Sequence, residues 1–562
     1  MNGNKLYNQF IKSLFILFAL IIITPIFFGF IGFFLPSFGY FPVLDKYDFN
    51  LNYFIISFEM PGISKSILLS FFTGFCSTIL ALFFSQLILS YFFNTKTYNY
   101  LKYFISPFLA LPHITMAVGI IFLFSPSGLF FRLISPWLTG FERPPNFFII
   151  PDEYGFFLIL GLVLKEIPFF ILISLSALEQ LPTKKIFKIG KTLQHSYFSI
   201  WAMIIFPLIY KKIRLVIFIV IAFSASVIDM SLLLAPSTPS TLSIRALKAY
   251  QSAEFDSIFI ASNLALIQLL VIIVLMVCWV FLEKIVQQKH FFLITLNFLS
   301  RKKSFLKNIL YFTSLTLFSF SILGIACAFL WSIGQNWYFP QFFPGSLSID
   351  NILVFFKQNK DIVFVSIYIS LIVSLLSLLI IVIWVELTEV LNFKHFYFEW
   401  FFFLPLFIPE ISFLIGLQSF LIIFNFNSFF IPLIVTELLY IMPYSFIILA
   451  PALREIKKDY IKVGSSLGKS RFERLIYIKV PLIIPSIFTA FAIGMIVSLS
   501  LYTPVYFIGA GRITTLTVEA LNLALSNSRQ DLGVATVFQV LIPILILLIV
   551  AYFNRKLTKW SF

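Results

Sequence analysis

The sequence comes closest to an enzymatic motif at Gly464-Ser465-Ser466-Leu467-Gly468-Lys469-Ser470, which supplies the glycine, lysine and hydroxyl of a loop that cradles phosphates. The spacing fails, because GxxxxGK[ST] requires a glycine where Val463 stands and no strand precedes the stretch. Nucleotide binding is not expected here, so the chain reads as a non-enzyme that does not hydrolyse ATP itself. The histidines at 113, 195, 290 and 395 and the cysteines at 76, 278 and 327 are too scattered for a catalytic or metal set, and no cofactor is expected. What remains are ionisable side chains inside apolar runs: His113, Lys165, Glu166, Asp229, Glu410 and Glu437. Burying such groups in lipid is expensive, so they either tie helices together by hydrogen bonds or line a path for a polar solute. His113, Asp229 and Glu410 are the candidates for the path.

The elements that position these residues follow from hydropathy. With 60% hydrophobic residues and a mean hydropathy of +1.00, the chain reads as an all-α polytopic membrane protein. Apolar runs predict twelve spans: 14–35, 67–93, 105–124, 156–178, 213–234 and 258–282, then 309–331, 362–385, 400–424, 429–449, 483–508 and 532–553. The first follows Lys5 and Lys12; it is too long for a signal peptide and lacks a small-residue cleavage site, so a retained helix is expected. The net charge of +16 does not point to nucleic acid. Its cations gather in short loops on alternate sides of the spans, the positive-inside pattern of a protein surrounded by membrane lipid. Lys284, Lys289, Arg301, Lys302, Lys303 and Lys307 place a connector, 283–308, inside, and Arg555, Lys556 and Lys559 do the same for the C-terminus. Both termini are therefore expected in the cytosol.

The chain also repeats itself. The basic stretch from Lys457 to Pro485 has a weaker copy from Thr183 to Ile209; Gly190 and Gly464 lie 274 positions apart, as do Pro207 and Pro481. Pro112-His113-Ile114 with Gly119 matches Pro409-Glu410-Ile411 with Gly416 at an offset of 297, which locates an insertion of 23 positions after Gly119, where the long outer segment 125–155 lies. Pro168 parallels Pro443. The expected division is a first repeat, 1–282, the connector, and a second repeat, 309–562. Two parallel six-helix repeats of this kind build a pathway between them.

Within each copy a short helix, a turn and a second helix entering the membrane would form a rigid knob. Gly468 supplies a left-handed turn residue, and Pro481 is tolerated where a helix begins. In the first copy Gln194, followed by His195, stands where the glycine is expected, so the two knobs are unequal. A plain basic inner loop would explain the cations. It would not explain the interval of 13 from Gln194 to Pro207 and again from Gly468 to Pro481.

These intervals resemble the cytoplasmic signature loop of permease subunits of binding-protein-dependent ABC importers, which runs Glu-Ala-Ala, three residues, glycine, nine residues, Ile-x-Leu-Pro. The second copy reads Lys462-Val463-Gly464, Gly468, then Ile478-Lys479-Val480-Pro481, with Lys469 after the glycine; the first reads Lys188-Ile189-Gly190, Gln194, then Ile204-Ile205-Phe206-Pro207. The Glu-Ala-Ala itself is lost in both. The doubled form is similar to the fused permeases of ferric-iron and thiamine importers. The resemblance implies a type I ABC-importer permease (MetI-like) fold in the bacterial cytoplasmic membrane. It also implies two copies of an ATPase subunit on the knobs, and a soluble binding protein, periplasmic or lipid-anchored, that delivers a small solute outside. The turn-rich loops 235–241 and 509–515 are where that protein would dock. Ferric iron, thiamine, another small solute or an anion all suit the architecture. The alternative is an ion-gradient-driven secondary transporter, in which Asp229 and Glu410 would be the working ionisable groups.

Overall fold

In a bilayer, an apolar run satisfies its own backbone only as a helix, and among its described residues the computed structural model is built of helices apart from a two-residue pairing of Gly334–Gln335 with Ser346–Leu347 and a single bridge between Phe41 and Lys46. It describes residues 2–93, 98, 105, 108, 111–147, 149–193, 197–254, 256–287, 304–391, 399–423, 429–526 and 528–558. In chain order the first part holds α1 (Asn2–Ser37), α2 (Asn52–Glu59), α3 (Ile63–Phe92), α4 (His113–Phe124), α5 (Leu129–Ile134), α6 (Phe156–Glu179), α7 (Thr183–Thr192), α8 (Tyr197–Ile200), α9 (Phe206–Ser226), α10 (Asp229–Leu234), α11 (Leu242–Tyr250) and α12 (Ser257–Gln287). The second holds α13 (Ser304–Ile333), α14 (Asp350–Leu391), α15 (Leu404–Phe407), α16 (Glu410–Ile423), α17 (Phe430–Arg454), α18 (Lys458–Ser466), α19 (Arg471–Arg474), α20 (Val480–Ser500), α21 (Thr503–Gly509), α22 (Leu516–Ser526) and α23 (Arg529–Thr558).

Among the described residues ten helices are long and apolar enough to cross a membrane, and eleven if Trp400–Phe407 and Glu410–Leu421, bent 108° apart, form one span. With α9, a helix of 21 residues that three cations keep outside this set, the number agrees with the expected twelve; what differs is the course of two runs. The run 213–234 is not one helix: α9 ends at Ser226 and α10 begins at Asp229, while Lys211, Lys212 and Arg214 crowd the first turns of α9 and keep it off the apolar set. The run 483–508 breaks in the same way, between α20 and α21. The breaks fall at equivalent places. α9 and α20 start 274 positions apart, as do α10 and α21, and α11 and α22.

The two parts of the chain interlock. α1 packs along α16, and α13 packs along α4, so each first helix lies on the broken helix of the other part. Small residues permit the approach, as they do where helices pack closely in membranes. A Cβ on Gly416 would collide with the backbone of Gly29, and one on Gly32 with that of Gly416. At the second crossing a Cβ on Gly119 would lie 3.1 Å from the Cα of Gly324.

Candidate functional site: two elbows and a buried polar centre

The basic stretch folds into an elbow whose angle is fixed by local hydrogen bonding. α18 is closed by Gly468, two residues past its end, with φ +73°. The left-handed residue lets Lys469 N donate to Gly464 O and Gly468 N to Ser465 O, both at 3.1 Å, closing the orphan carbonyls of the helix end. Ser470 then caps α19: its Oγ accepts from Glu473 N at 3.2 Å, while Glu473 accepts from Ser470 N at 2.8 Å and from Lys469 Nζ at 3.0 Å. This exit from the turn is built from residues that the failed phosphate-loop pattern had already singled out.

Gly190 and Gly464 mark where the two arms of each elbow touch. A Cβ on Gly464 would lie 2.5 Å from Ile478 Cδ1, and one on Gly190 2.6 Å from Ile200 Cδ1. The second arm does not begin a free helix at the prolines, as the sequence suggested. It passes through a single wide turn, Trp201–Ile205 or Leu475–Lys479, directly into α9 or α20, where Pro207 and Pro481 stand near the start. In that turn Phe206 N donates to Trp201 O and Val480 N to Leu475 O, bonds one residue longer than those of an α-helix. A proline with no N–H to offer is accommodated where the ladder is already interrupted.

The elbows are anchored differently. Lys479 is 5% exposed and pairs with Glu386 at 2.5 Å and Glu389 at 2.7 Å, both on α14. Its equivalent, Ile205, is fully buried among apolar neighbours. The first elbow is tied instead through α9, where Arg214 pairs with Glu283 of α12 at 2.7 Å and Tyr210 donates to the same carboxylate. Lys188, Lys462 and Lys469 are exposed, and among the described residues Lys462 approaches only the exposed Asp459, at 3.6 Å. Gln194 and His195 lie outside the described residues.

The ionisable residues of the apolar runs form a second constellation. Four short helices begin in it: α4 at His113, α10 at Asp229, α16 at Glu410 and α21 at Thr503. Thr503 Oγ1 donates to Glu410 Oε2 at 2.6 Å. Asp229 accepts from Met230 N at 2.8 Å and has Glu410 and Lys165 as charged neighbours. Lys165 donates to the carbonyl of Leu111, in the break before α4, while Glu166 on the other side of the helix lies beside Tyr444. His113 meets the ring of Phe223 at 4.5 Å. Glu437 pairs apart from the group, accepting from Ser498 at 2.5 Å. The structure thus brings Asp229, Glu410, Lys165 and Glu166 together from both parts of the chain. Water would screen two such carboxylates from each other; buried, they repel more strongly, and the partial positive charge at the start of α16, where Glu410 stands, offsets part of this.

Residues 360–559 match the family described as binding-protein-dependent transport system inner membrane component. This part of the chain therefore carries a binding-protein-dependent transport permease domain. The chain is 24% identical over 452 residues to the inner membrane ABC transporter permease protein YnjC of Escherichia coli (strain K12), a match that covers 80% of each chain. No solved structure matches. The permease is therefore an all-α, multi-pass inner-membrane protein of an ABC import system, from a family of transporters rather than catalysts.

Two features of the permease escaped the residue pattern. The first is the apolar tip of each elbow: Ile189 and Leu193 in one, Val463 and Leu467 in the other, at equivalent positions and 58% to 73% exposed. The signal was present as an i, i+4 apolar pair on a short, otherwise basic helix. The second is Thr503, equivalent to Asp229 at the offset of 274 and followed by Pro504, a proline at the start of a helix.

Proposed function

We propose that the permease forms one translocation path between two parallel repeats, 1–282 and 309–562, joined by the cytosolic connector 283–308, with both termini in the cytosol. Two copies of an ATPase subunit dock on the two elbows, and a soluble binding protein delivers a small solute from the opposite side. Asp229, Glu410 and His113 lie along the path. ATP-driven closure of the ATPase pair draws the elbows together; the elbows transmit this to α9 and α20, whose far ends carry the buried polar centre. Such a ligand-driven shift needs differential binding to the two states, which the ATPase supplies.

The observation that carries this reading is the exposed apolar pair on both elbows. A loop that served only to set orientation would need cations and would gain nothing from displaying Ile189, Leu193, Val463 and Leu467 to water. The test is co-purification with a co-expressed ATPase subunit of an ABC importer. Leu193→Asp with Leu467→Asp should abolish association, and Lys462→Glu should leave most of it. Full association of the double variant, or transport in vesicles that continues without any ATPase, would overturn the reading.

A further inference from the structure

Two guanidinium groups sit at one end of the molecule with no carboxylate against either, among the described residues. Arg132, on α5, is 4% exposed and donates only to carbonyls: Ser127 at 2.9 Å, Gln341 at 2.7 Å, Tyr338 at 3.0 Å and Trp337 at 3.4 Å. Its guanidinium lies 5.5 Å from the ring centre of Trp331, and that of Arg529 lies 5.3 Å from the same ring. Arg529 is the less satisfied of the two: among the described residues its hydrogen bonds reach only Ser127 O at 3.3 Å and Ser125 Oγ at 3.5 Å. It is also the first residue of α23, a helix of 30 residues, so the helix start adds partial positive charge. Buried charges are paired or they are costly. Two adjacent cations and a helix N-terminus make a place for an anion.

An apolar groove of about 370 Å³ lies between α13 and α23 on the membrane side of their close contact at Gly533, lined by Phe108, Ile325, Phe329, Val537, Val540 and Leu541 among others. Phe329 and Leu541 are each 48% exposed, so the groove opens to the surface that faces lipid. Arg529, Gly533, Val537, Val540 and Ile544 repeat at intervals of three and four, which places the arginine on the same stripe of α23 as the groove. From Arg529 to Val537 the helix rises about 12 Å, roughly the step from a phosphate to the middle of an acyl chain.

We propose that this end of α13 and α23 is a phospholipid site, with the phosphate on Arg529 in the field of Arg132 and one acyl chain in the groove. The absence of any carboxylate on the two arginines favours an anionic headgroup such as phosphatidylglycerol over a zwitterionic one. Neither the elbows nor the polar centre takes part, so the inference does not depend on the transport reading.

Native mass spectrometry of the full-length permease extracted in detergent tests it. The wild type should retain phosphatidylglycerol, and Arg529→Gln should lower its occupancy about tenfold, the loss of one charge-assisted hydrogen bond. Ala326→Phe fills the groove from its exposed rim without touching either arginine, and should lower lipid retention equally. Both variants must first show the wild-type unfolding midpoint without lipid. Undiminished retention in Arg529→Gln, or a wild type that carries no lipid, overturns the site. Retention in Ala326→Phe together with equal stabilisation by inorganic phosphate would mean a free-anion site and overturn the lipid.

Discussion

Thr503 donates its hydroxyl hydrogen to Glu410 over 2.6 Å, and each residue begins a half-helix on one side of the polar centre. In the first part of the chain the equivalent pair is Asp229 and His113, so acid and partner have exchanged places. The repeat kept the backbone breaks but moved the acid to the other half-helix, where Asp229 accepts from Met230 N and His113 packs on Phe223, so the centre is asymmetric. Thr503→Val removes the donor and leaves a Glu410 oxygen without it, at about 1–3 kcal/mol for an unsatisfied buried group. Thermal unfolding of the detergent-purified permease should show that loss, and Thr503→Ser should restore most of it. A threonine that acts only by shape would be better replaced by valine than by serine.

Gly468 gives a second prediction because its reasons separate cleanly. Nothing lies within 4 Å of a Cβ at this position, so space does not require glycine; only the φ of +73° does. Gly468→Ala should weaken the elbow by about 1–2 kcal/mol, and Gly468→Asn by less, since asparagine tolerates the left-handed region. Hydrogen exchange of the α18 amides reads the effect locally. Equal losses for alanine and asparagine would show that conformation is not the cause.

The membrane class, the repeat and the positions of both elbows were legible because they rest on composition and on intervals that survive divergence. Gly464, Gly468 and Pro481 kept their spacing, and the structure gives each a local role. The breaks inside the spans were less legible. Hydropathy smooths over two residues, and so the breaks at Val227–Ile228 and Leu501–Tyr502 disappeared into single apolar runs. The polar centre was legible as a set of residues and not as a site. Lys165 and Asp229 are 64 positions apart, and only the packing of α10 against α6 and α4 brings them together.

The exchange of first helices leads to a third prediction. Gly119 on α4 faces Gly324 on α13, with a Cβ on either lying 3.0 to 3.1 Å from the other's Cα. Gly119→Leu cannot be absorbed by a flexible side chain, since the obstacle is backbone, and should prise α13 from α4. Unfolding midpoints should fall by more than for Gly119→Ala, as thermal unfolding of the two detergent-purified variants would read.

Lys479 yields the last prediction. Removing one member of a buried ion pair leaves the other charge uncompensated, which costs about 3–5 kcal/mol in a fully buried setting. Glu386 is 21% and Glu389 53% exposed at the side chain, so solvent screens part of that, and Lys479→Met should cost nearer 1–2 kcal/mol. The double variant with Glu386→Gln should recover part of the loss, because the better buried of the two acids is then neutral. A double-mutant cycle measures the coupling directly. The sign is the informative outcome. If Lys479→Met with Glu386→Gln were less stable than Lys479→Met alone, the pairing with Glu386 would not be what holds the second elbow to α14.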